Sequence, residues 1–287
     1  MRKRFGAMLL GLLALSSPLV ARPRKTAPTR TRVKAVTRVP AAAPALKSSA
    51  ALVLDQRTGE VLVAKDAEAV APIASLTKLM TAMVVLDARL DLQEELRVEK
   101  GDVDTLRHSK SRLPVGTRLT RGEALLMALV ASENRAAHLL GRTYPGGMEA
   151  CVAAMNAKAQ ALGLQRTHFE ETTGLDGRNV ATARELAVLA DTASRYPTIQ
   201  DFSTRGEGEI GTGRHRIAFM NTNGLTRNPR WNLGLSKTGY IEEAGKCLVM
   251  QTSLAGRALV IVLLDSWGRY TRLGDAARIK QWLEHQG

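Results

Sequence analysis

The chain has 287 residues, with 45% hydrophobic and 24% charged side chains, enough apolar material to bury a substantial core and too much for wholesale disorder. A formal net charge of +14 would point to a polyanionic partner if it were spread over the folded part. Instead, residues 1–50 carry 11 of the 41 Lys and Arg and no Asp or Glu, which leaves 30 basic against 27 acidic side chains in the remainder. No dense basic stripe of the kind that tracks phosphates is left, so no nucleic-acid partner is expected.

Arg2, Lys3 and Arg4 precede a short apolar run from Ala7 to Val20 and a small residue at Ala21. The run is shorter than the ~20 apolar residues that span a bilayer, and Ser16, Ser17 and Pro18 interrupt it. Residues 1–21 therefore read as a secretory signal, and the protein as a bacterial one exported to the periplasm. Residues 22–47 follow with Arg, Lys, Thr, Ala and Pro and hardly any large apolar side chain, a composition that cannot repay the entropy of ordering and reads as a basic disordered linker. Its eight cations suit either a peripheral contact with anionic membrane or wall polymer or a solvated spacer.

The folded domain is expected over 48–287. Ala51 to Asp55 and Val61 to Ala64, around Arg57-Thr58-Gly59-Glu60, read as a hairpin. Residues 75–89 are apolar nearly all round (Leu79, Met80, Met83, Val84, Val85, Leu86), which marks a helix buried at the centre. Thr120 with Glu123 and Thr182 with Glu185 have capping-box spacing and should start helices, with another near 147–162. Leu235 to Ile241 can be a strand. Lys246 to Ser253 and Arg257 to Leu264, separated by Ala255-Gly256, read as a second hairpin, and Ala276, Ile279, Trp282 and Leu283 set one face of a closing helix. Strands at both ends with helices between them imply an α+β layout whose antiparallel sheet is built from N- and C-terminal segments with a helical insertion. Cys151 and Cys247 permit one disulfide or two buried free thiols.

Ser75-Leu76-Thr77-Lys78 opens the buried helix, and i to i+3 spacing puts hydroxyl and amine on one face. The bland alternative is a capping serine followed by a solvated lysine. Against it, a cation in the first turn opposes the helix dipole, and that dipole and burial both depress a lysine pKa towards a usable base. Ser132-Glu133-Asn134 offers a hydroxyl and an amide to relay a proton and hold a peptide carbonyl, or else an N-cap for the helix that follows. Lys237-Thr238-Gly239 offers charge and hydroxyl to a carboxylate, with Gly allowing a close backbone approach, or else a strand-edge lysine. Ser-x-x-Lys, Ser-x-Asn and Lys-Thr-Gly each occur once, in that order and 57 and 105 residues apart. The joint match is far more specific than its parts.

At this point the chain resembles the penicillin-recognising serine enzymes, the β-lactamase and transpeptidase-like fold. More narrowly, Pro72-Ile73-Ala74-Ser75-Leu76-Thr77-Lys78-Leu79-Met80, Ser132-Glu133-Asn134-Arg135-Ala136-Ala137 and Gly234-Leu235-Ser236-Lys237-Thr238-Gly239-Tyr240 look like the low-molecular-mass D-alanyl-D-alanine peptidases. Thr172-Thr173-Gly174-Leu175-Asp176 and Cys247-Leu248-Val249-Met250 are similar to the endopeptidase branch, the penicillin-binding protein 7 type. The resemblance implies that Ser75 attacks a D-alanine carbonyl, Lys78 takes its proton and Ser132 relays one to the leaving amine. It further implies that Asn134, Lys237, Thr238 and Gly239 bind the substrate and that the backbone N–H groups of Ser75 and Tyr240 form the oxyanion hole. The expected partners are peptidoglycan peptides and β-lactam inhibitors.

No metal or organic cofactor is signalled, because the five His show no His-Glu-x-x-His spacing or Cys/His cluster, and His138 reads as packing. The rivals are a D-alanyl-D-alanine carboxypeptidase, a serine β-lactamase and an idle wall-binding protein. Glu170 and Glu171 lie in the stretch where a β-lactamase carries its deacylating Glu, yet Glu171 is followed by Thr-Thr-Gly-Leu rather than the x-x-Leu-Asn of that family. Only about 20 residues follow the second hairpin, too few for the extra β domain and amphipathic anchor of membrane-bound carboxypeptidases, which favours an endopeptidase. A binder needs no nucleophile with its base, which speaks against the idle protein.

Overall fold

The computed structural model describes residues 43–212 and 215–285; the expected signal and residues 22–42 of the expected linker lie outside them. Strands β1 (Ala50–Asp55) and β2 (Val61–Lys65) form the first hairpin. Asp55 closes its turn by accepting the Arg57 and Thr58 N–H groups at 2.9 and 3.1 Å, the local carboxylate-to-backbone bonding that makes Asp a turn former. A short strand β3 (Ala71–Pro72) and a 3-10 turn over Ala74–Thr77 lead into α1 (Lys78–Asp87). The helix read over 75–89 thus begins as a tighter turn, and only from Lys78 is it α-helical.

Next come the strand pair β4 (Glu95–Arg97) and β5 (Arg118–Thr120) and the helices α2 (Arg121–Val130), α3 (Asn134–Arg142) and α4 (Gly147–Ala161). Thr120 and Glu123 make the full reciprocal cap of α2, as their spacing predicts. After β6 (Val180–Ala181), which pairs with β3, Thr182 caps α5 (Ala183–Ala193) through the Glu185 N–H. The return half of that box is absent because the Glu185 carboxylate is taken by the Arg166 N–H and the Thr167 hydroxyl. Helix α6 (Pro197–Thr204) and the ribbon β7 (Glu207–Thr212) with β8 (His215–Met220) follow. The chain ends in β9 (Asn232–Ile241), β10 (Gly245–Leu254), β11 (Arg257–Ser266) and α7 (Thr271–Glu284).

The main sheet is five-stranded and antiparallel, in the order β2-β1-β11-β10-β9, so N- and C-terminal segments do interleave as expected. Alternation along β1 and β11 sorts the side chains between two apolar layers. Leu52, Val260, Val262 and Leu264 join the larger core with α1 and α2, whereas Val53, Leu259, Ile261 and Leu263 pack with Ala276, Ile279 and Leu283 of α7. Helix α1 is buried from Lys78 through Val85, the central position that its all-round apolar sequence predicts. Cys151 on α4 and Cys247 on β10 are unpaired and buried, and burial pushes the thiols up to about 12 and about 11. Among the described residues, no helix is long and apolar enough to cross a membrane.

One buried carboxylate ties the start of this domain to its last helix. Asp275 of α7 accepts the Ser48 N–H at 2.7 Å, the Ser48 hydroxyl at 2.6 Å and the Lys47 N–H at 3.0 Å. Leu46, just ahead of it, packs on the sheet–α7 core. Removing the acceptor in Asp275→Ala leaves buried donors unpaired. The expected cost is about 3 kcal/mol of unfolding free energy, read as a lower urea midpoint with an unchanged slope.

Candidate active site

Ser75 sits in the 3-10 turn with its side chain partly exposed. It caps nothing, since Ile73 and Thr77 occupy the N-cap positions of the turn and of α1. Ala74 has φ +47°, a left-handed conformation that costs a non-glycine residue free energy and persists only where neighbours hold it. Those neighbours are visible. The Thr77 hydroxyl donates to the Ala74 carbonyl at 2.8 Å, and two glycines press on the Ala74–Ser75 peptide from different segments. A Cβ on Gly174 would lie 1.9 Å from the Ala74 oxygen, and one on Gly239 would lie 3.0 Å from the Ser75 nitrogen. The close approach that Gly239 permits is therefore to the nucleophile turn.

Lys78, one turn on, is 1% exposed. Its Nζ lies 2.7 Å from Ser75 Oγ, 2.7 Å from Asn134 Oδ1 and 2.6 Å from the Thr173 carbonyl. Burial is the largest influence on this amine and lowers its pKa from 10.5 to about 7, against the opposing pull of Glu171 and Glu133. Two of the three partners are pure acceptors, while a hydroxyl can donate or accept. Lys78 donates to all three in the structure, and the Ser75 hydroxyl is the one partner that can also give it a proton.

Ser132 has φ +57° and lies just ahead of α3, whose N-cap is Glu133 through the Arg135 N–H. Freed from capping, its Oγ accepts from Lys237 Nζ at 2.8 Å, so the hydroxyl proton is not used in that bond. Lys237, buried on β9, also donates to the Thr238 carbonyl at 2.9 Å. Burial, then Lys78, then Arg272 hold its pKa well below the usual lysine value. Thr238 shares a 2.6 Å hydrogen bond with Thr222, and Asn134 donates to Ser109 Oγ at 3.0 Å. All three motifs thus meet in one connected cluster.

A family model described as D-alanyl-D-alanine carboxypeptidase matches residues 37–267. The chain belongs to this family. Among its curated relatives, a D-alanyl-D-alanine endopeptidase of Pseudomonas aeruginosa is 47% identical over 83% of this chain and 78% of its own length. A D-alanyl-D-alanine endopeptidase of Escherichia coli is 42% identical, over 85% and 79%. Among solved structures, the DD-transpeptidase of Streptomyces K15 superposes with a TM-score of 0.79 at 27% identity, covering 85% of this chain and 99% of that one.

The loop beneath Ser75 is organised by Glu171. Its carboxylate accepts the Thr173 and Gly174 N–H groups at 2.5 Å each and the Asn179 amide at 3.0 Å. Asn179 in turn donates to the Thr77 hydroxyl at 3.0 Å. Glu171 is therefore spent on holding the loop that presents Thr173 to Lys78.

Sequence reasoning missed three further groups near the cluster. Arg107 donates to the Leu175 carbonyl and, at 2.8 Å, to Glu243, joining the loop ahead of β5 to the turn after β9. The partly buried Arg272 has Nε and Nη1 without a partner, and its charge reaches Lys237. Thr222 carries no motif at all. Only Arg272, a cation on an otherwise apolar helix face, left any trace in the pattern. His138 is hydrogen-bonded to the buried Asp102 at 2.9 Å.

Adding a methyl group at Gly174 combines positive φ with a backbone collision, while at Gly59 (φ +71°) nothing lies within 4 Å. Gly59→Ala should cost about 1 kcal/mol from conformation alone, and Gly174→Ala about 3 kcal/mol because the Ala74–Ser75 peptide must shift. Equal costs in parallel urea titrations would show that the turn is not clamped there.

Proposed function

We propose that the chain is an exported, periplasmic serine peptidase that cleaves D-alanyl cross-links in peptidoglycan through an acyl-Ser75 intermediate, and that penicillin acylates the same oxygen. The observation that carries this reading is the buried Lys78 amine, its pKa lowered to about 7 and its Nζ 2.7 Å from Ser75 Oγ. Ser75 Oγ attacks the carbonyl of the D-alanine residue while Lys78 takes its proton. Charge building on the carbonyl oxygen meets the backbone N–H groups of Ser75 and Tyr240, which the contact between Gly239 and the Ser75 nitrogen brings together. As the C–N bond breaks, Ser132 gives its proton to the leaving amine and is reprotonated from the Lys78 ammonium. Water then attacks the ester while Lys78 accepts its proton, and Lys78 passes that proton to Ser75 Oγ as the acyl bond breaks, restoring the free serine and the neutral amine.

Lys237 and the Thr238 hydroxyl, with the Arg272 charge behind Lys237, form a polar end suited to the carboxylate beyond the scissile bond. Asn134 anchors Lys78 through its oxygen and keeps one N–H for the peptide. The endopeptidase reading is favoured over the carboxypeptidase by the names of the two relatives above 40% identity. The β-lactamase reading lacks a free carboxylate to activate water, because Glu171 is committed to its own loop.

Intact-protein mass after incubation with penicillin tests this directly. Wild type should carry one persistent adduct and Ser75→Ala none; rapid loss of penicillin without a lasting adduct would return the β-lactamase reading, and an adduct on Ser75→Ala would refute the nucleophile. The pH dependence has a fixed sign. Since the reactive form is the neutral amine, acylation should fall about tenfold per unit below pH 7 and level off above it. A rate independent of pH between 5 and 9 would remove Lys78 as the base.

A further inference from the structure

The chain is poor in aromatic residues, at 4%, and those it has are distributed unevenly. Tyr240, Trp267 and Tyr270 are 59%, 75% and 65% exposed, while every other described Phe, Tyr and Trp is buried or packs partly buried on one of the two cores. These three lie together. Tyr240 on β9 is the register partner of Lys246 on β10, whose Nζ sits 4.0 Å above its ring. Lys246 is also the register partner of Ser266, the residue before Trp267. Arg269 lies 5.3 Å from the Tyr270 ring centroid, and its charge, with that of Arg272, reaches Lys246. The patch adjoins the catalytic groove at its polar end, since Tyr240 stands two residues beyond Thr238.

Three wide, wet aromatic faces are costly to leave in water without use, and nothing in the core requires them. Among the described residues, neither Lys246 nor Arg269 forms an ion pair, and Glu243, the nearby acid on the β9–β10 turn, is drawn off by Arg107. Ring faces interleaved with unpaired cations complement flat, hydroxyl-rich rings that carry carboxylates. A substrate polymer of amino sugars bearing peptide carboxylates has that chemistry, and its glycan must run past the groove whenever a cross-linking peptide lies within it. We propose that Tyr240, Trp267, Tyr270, Lys246 and Arg269 form an exosite that docks the glycan strand of polymeric peptidoglycan beside the catalytic groove. This rests on the peptidase reading above. A lipid surface also attracts aromatic and basic side chains, but it rewards aliphatic insertion, and none of the exposed aliphatic residues belongs to these segments.

The test uses the full chain with Trp267→Ala and Tyr270→Ala combined, two exposed side chains whose loss leaves the core intact. Binding is read by co-sedimentation with insoluble peptidoglycan in a Ser75→Ala background, so that it does not depend on turnover. The double variant should bind about tenfold more weakly, and Arg269→Ala should weaken binding at low salt far more than at high salt. Penicillin adduct formation and cleavage of a small soluble cross-linked peptide should be unchanged. Undiminished binding to the polymer, an equal loss on penicillin and small peptide, or tighter sedimentation with vesicles of anionic phospholipid than with peptidoglycan would each overturn the exosite. Failure of wild type to form an adduct would instead count against the peptidase reading, leaving the binding result to stand separately.

Discussion

Everything at the centre of this protein depends on keeping one amine dry. Lys78 has no acidic partner in contact; it is held by an amide oxygen, a main-chain carbonyl and a hydroxyl, so the penalty of burying its charge is not cancelled by an ion pair. The protein accommodates it by letting the amine lose its proton near pH 7. That outcome requires the surrounding groups to be fixed, because a mobile neighbour would admit water and restore the ordinary lysine value. The large core around α1, the glycine contacts on the nucleophile turn and the Glu171–Asn179 loop all serve that fixation.

The same logic explains the strained residues. Ala74 and Ser132 both adopt positive φ, and each precedes or carries a hydroxyl aimed into the groove. A regular helix start would have turned Ser75 and Ser132 back onto their own backbones as caps. Displacing them from that role costs local free energy, offset by packing elsewhere, and leaves their oxygens available to the lysines.

Most of the architecture was legible because it rests on local periodicity: the two terminal hairpins, the buried helix and the Thr120 cap are dictated by residues within a few positions of one another. The three motifs were legible for the same reason, each being a short run with its own stereochemistry. The β7–β8 ribbon and α6 were not anticipated. Burial does alternate along the ribbon, with Ile210 opposite Ile217 and Gly208 opposite Phe219, but Ile210 is the one large apolar side chain of β7, too weak a period-two signal to mark a strand. Within the site, the pairing of Ser132 with Lys237 rather than Lys78, the bracing of Ser75 by Gly174, and the presence of Thr222, Arg107 and Arg272 depend on segments far apart in sequence. No spacing rule links residue 174 to 74. Burial as the main cause of the lowered Lys78 pKa was foreseeable from the apolar run that follows it.

The sheet order has a consequence for how the enzyme comes into being. Strand β1 is held between β2 and β11, with Ala50 opposite Leu264, and the segment ahead of it is pinned by Asp275. The Ser75 turn is made early, whereas strand β9, which contacts it, and strands β10 and β11 lie far along the chain. Closing such long loops is entropically slow, so a nascent or partly threaded polypeptide contains Ser75 and Lys78 without the apolar shell that removes the proton. In that state the amine is solvated and charged, and the serine is an ordinary alcohol. The dry amine therefore exists only once the C-terminal third has closed over it.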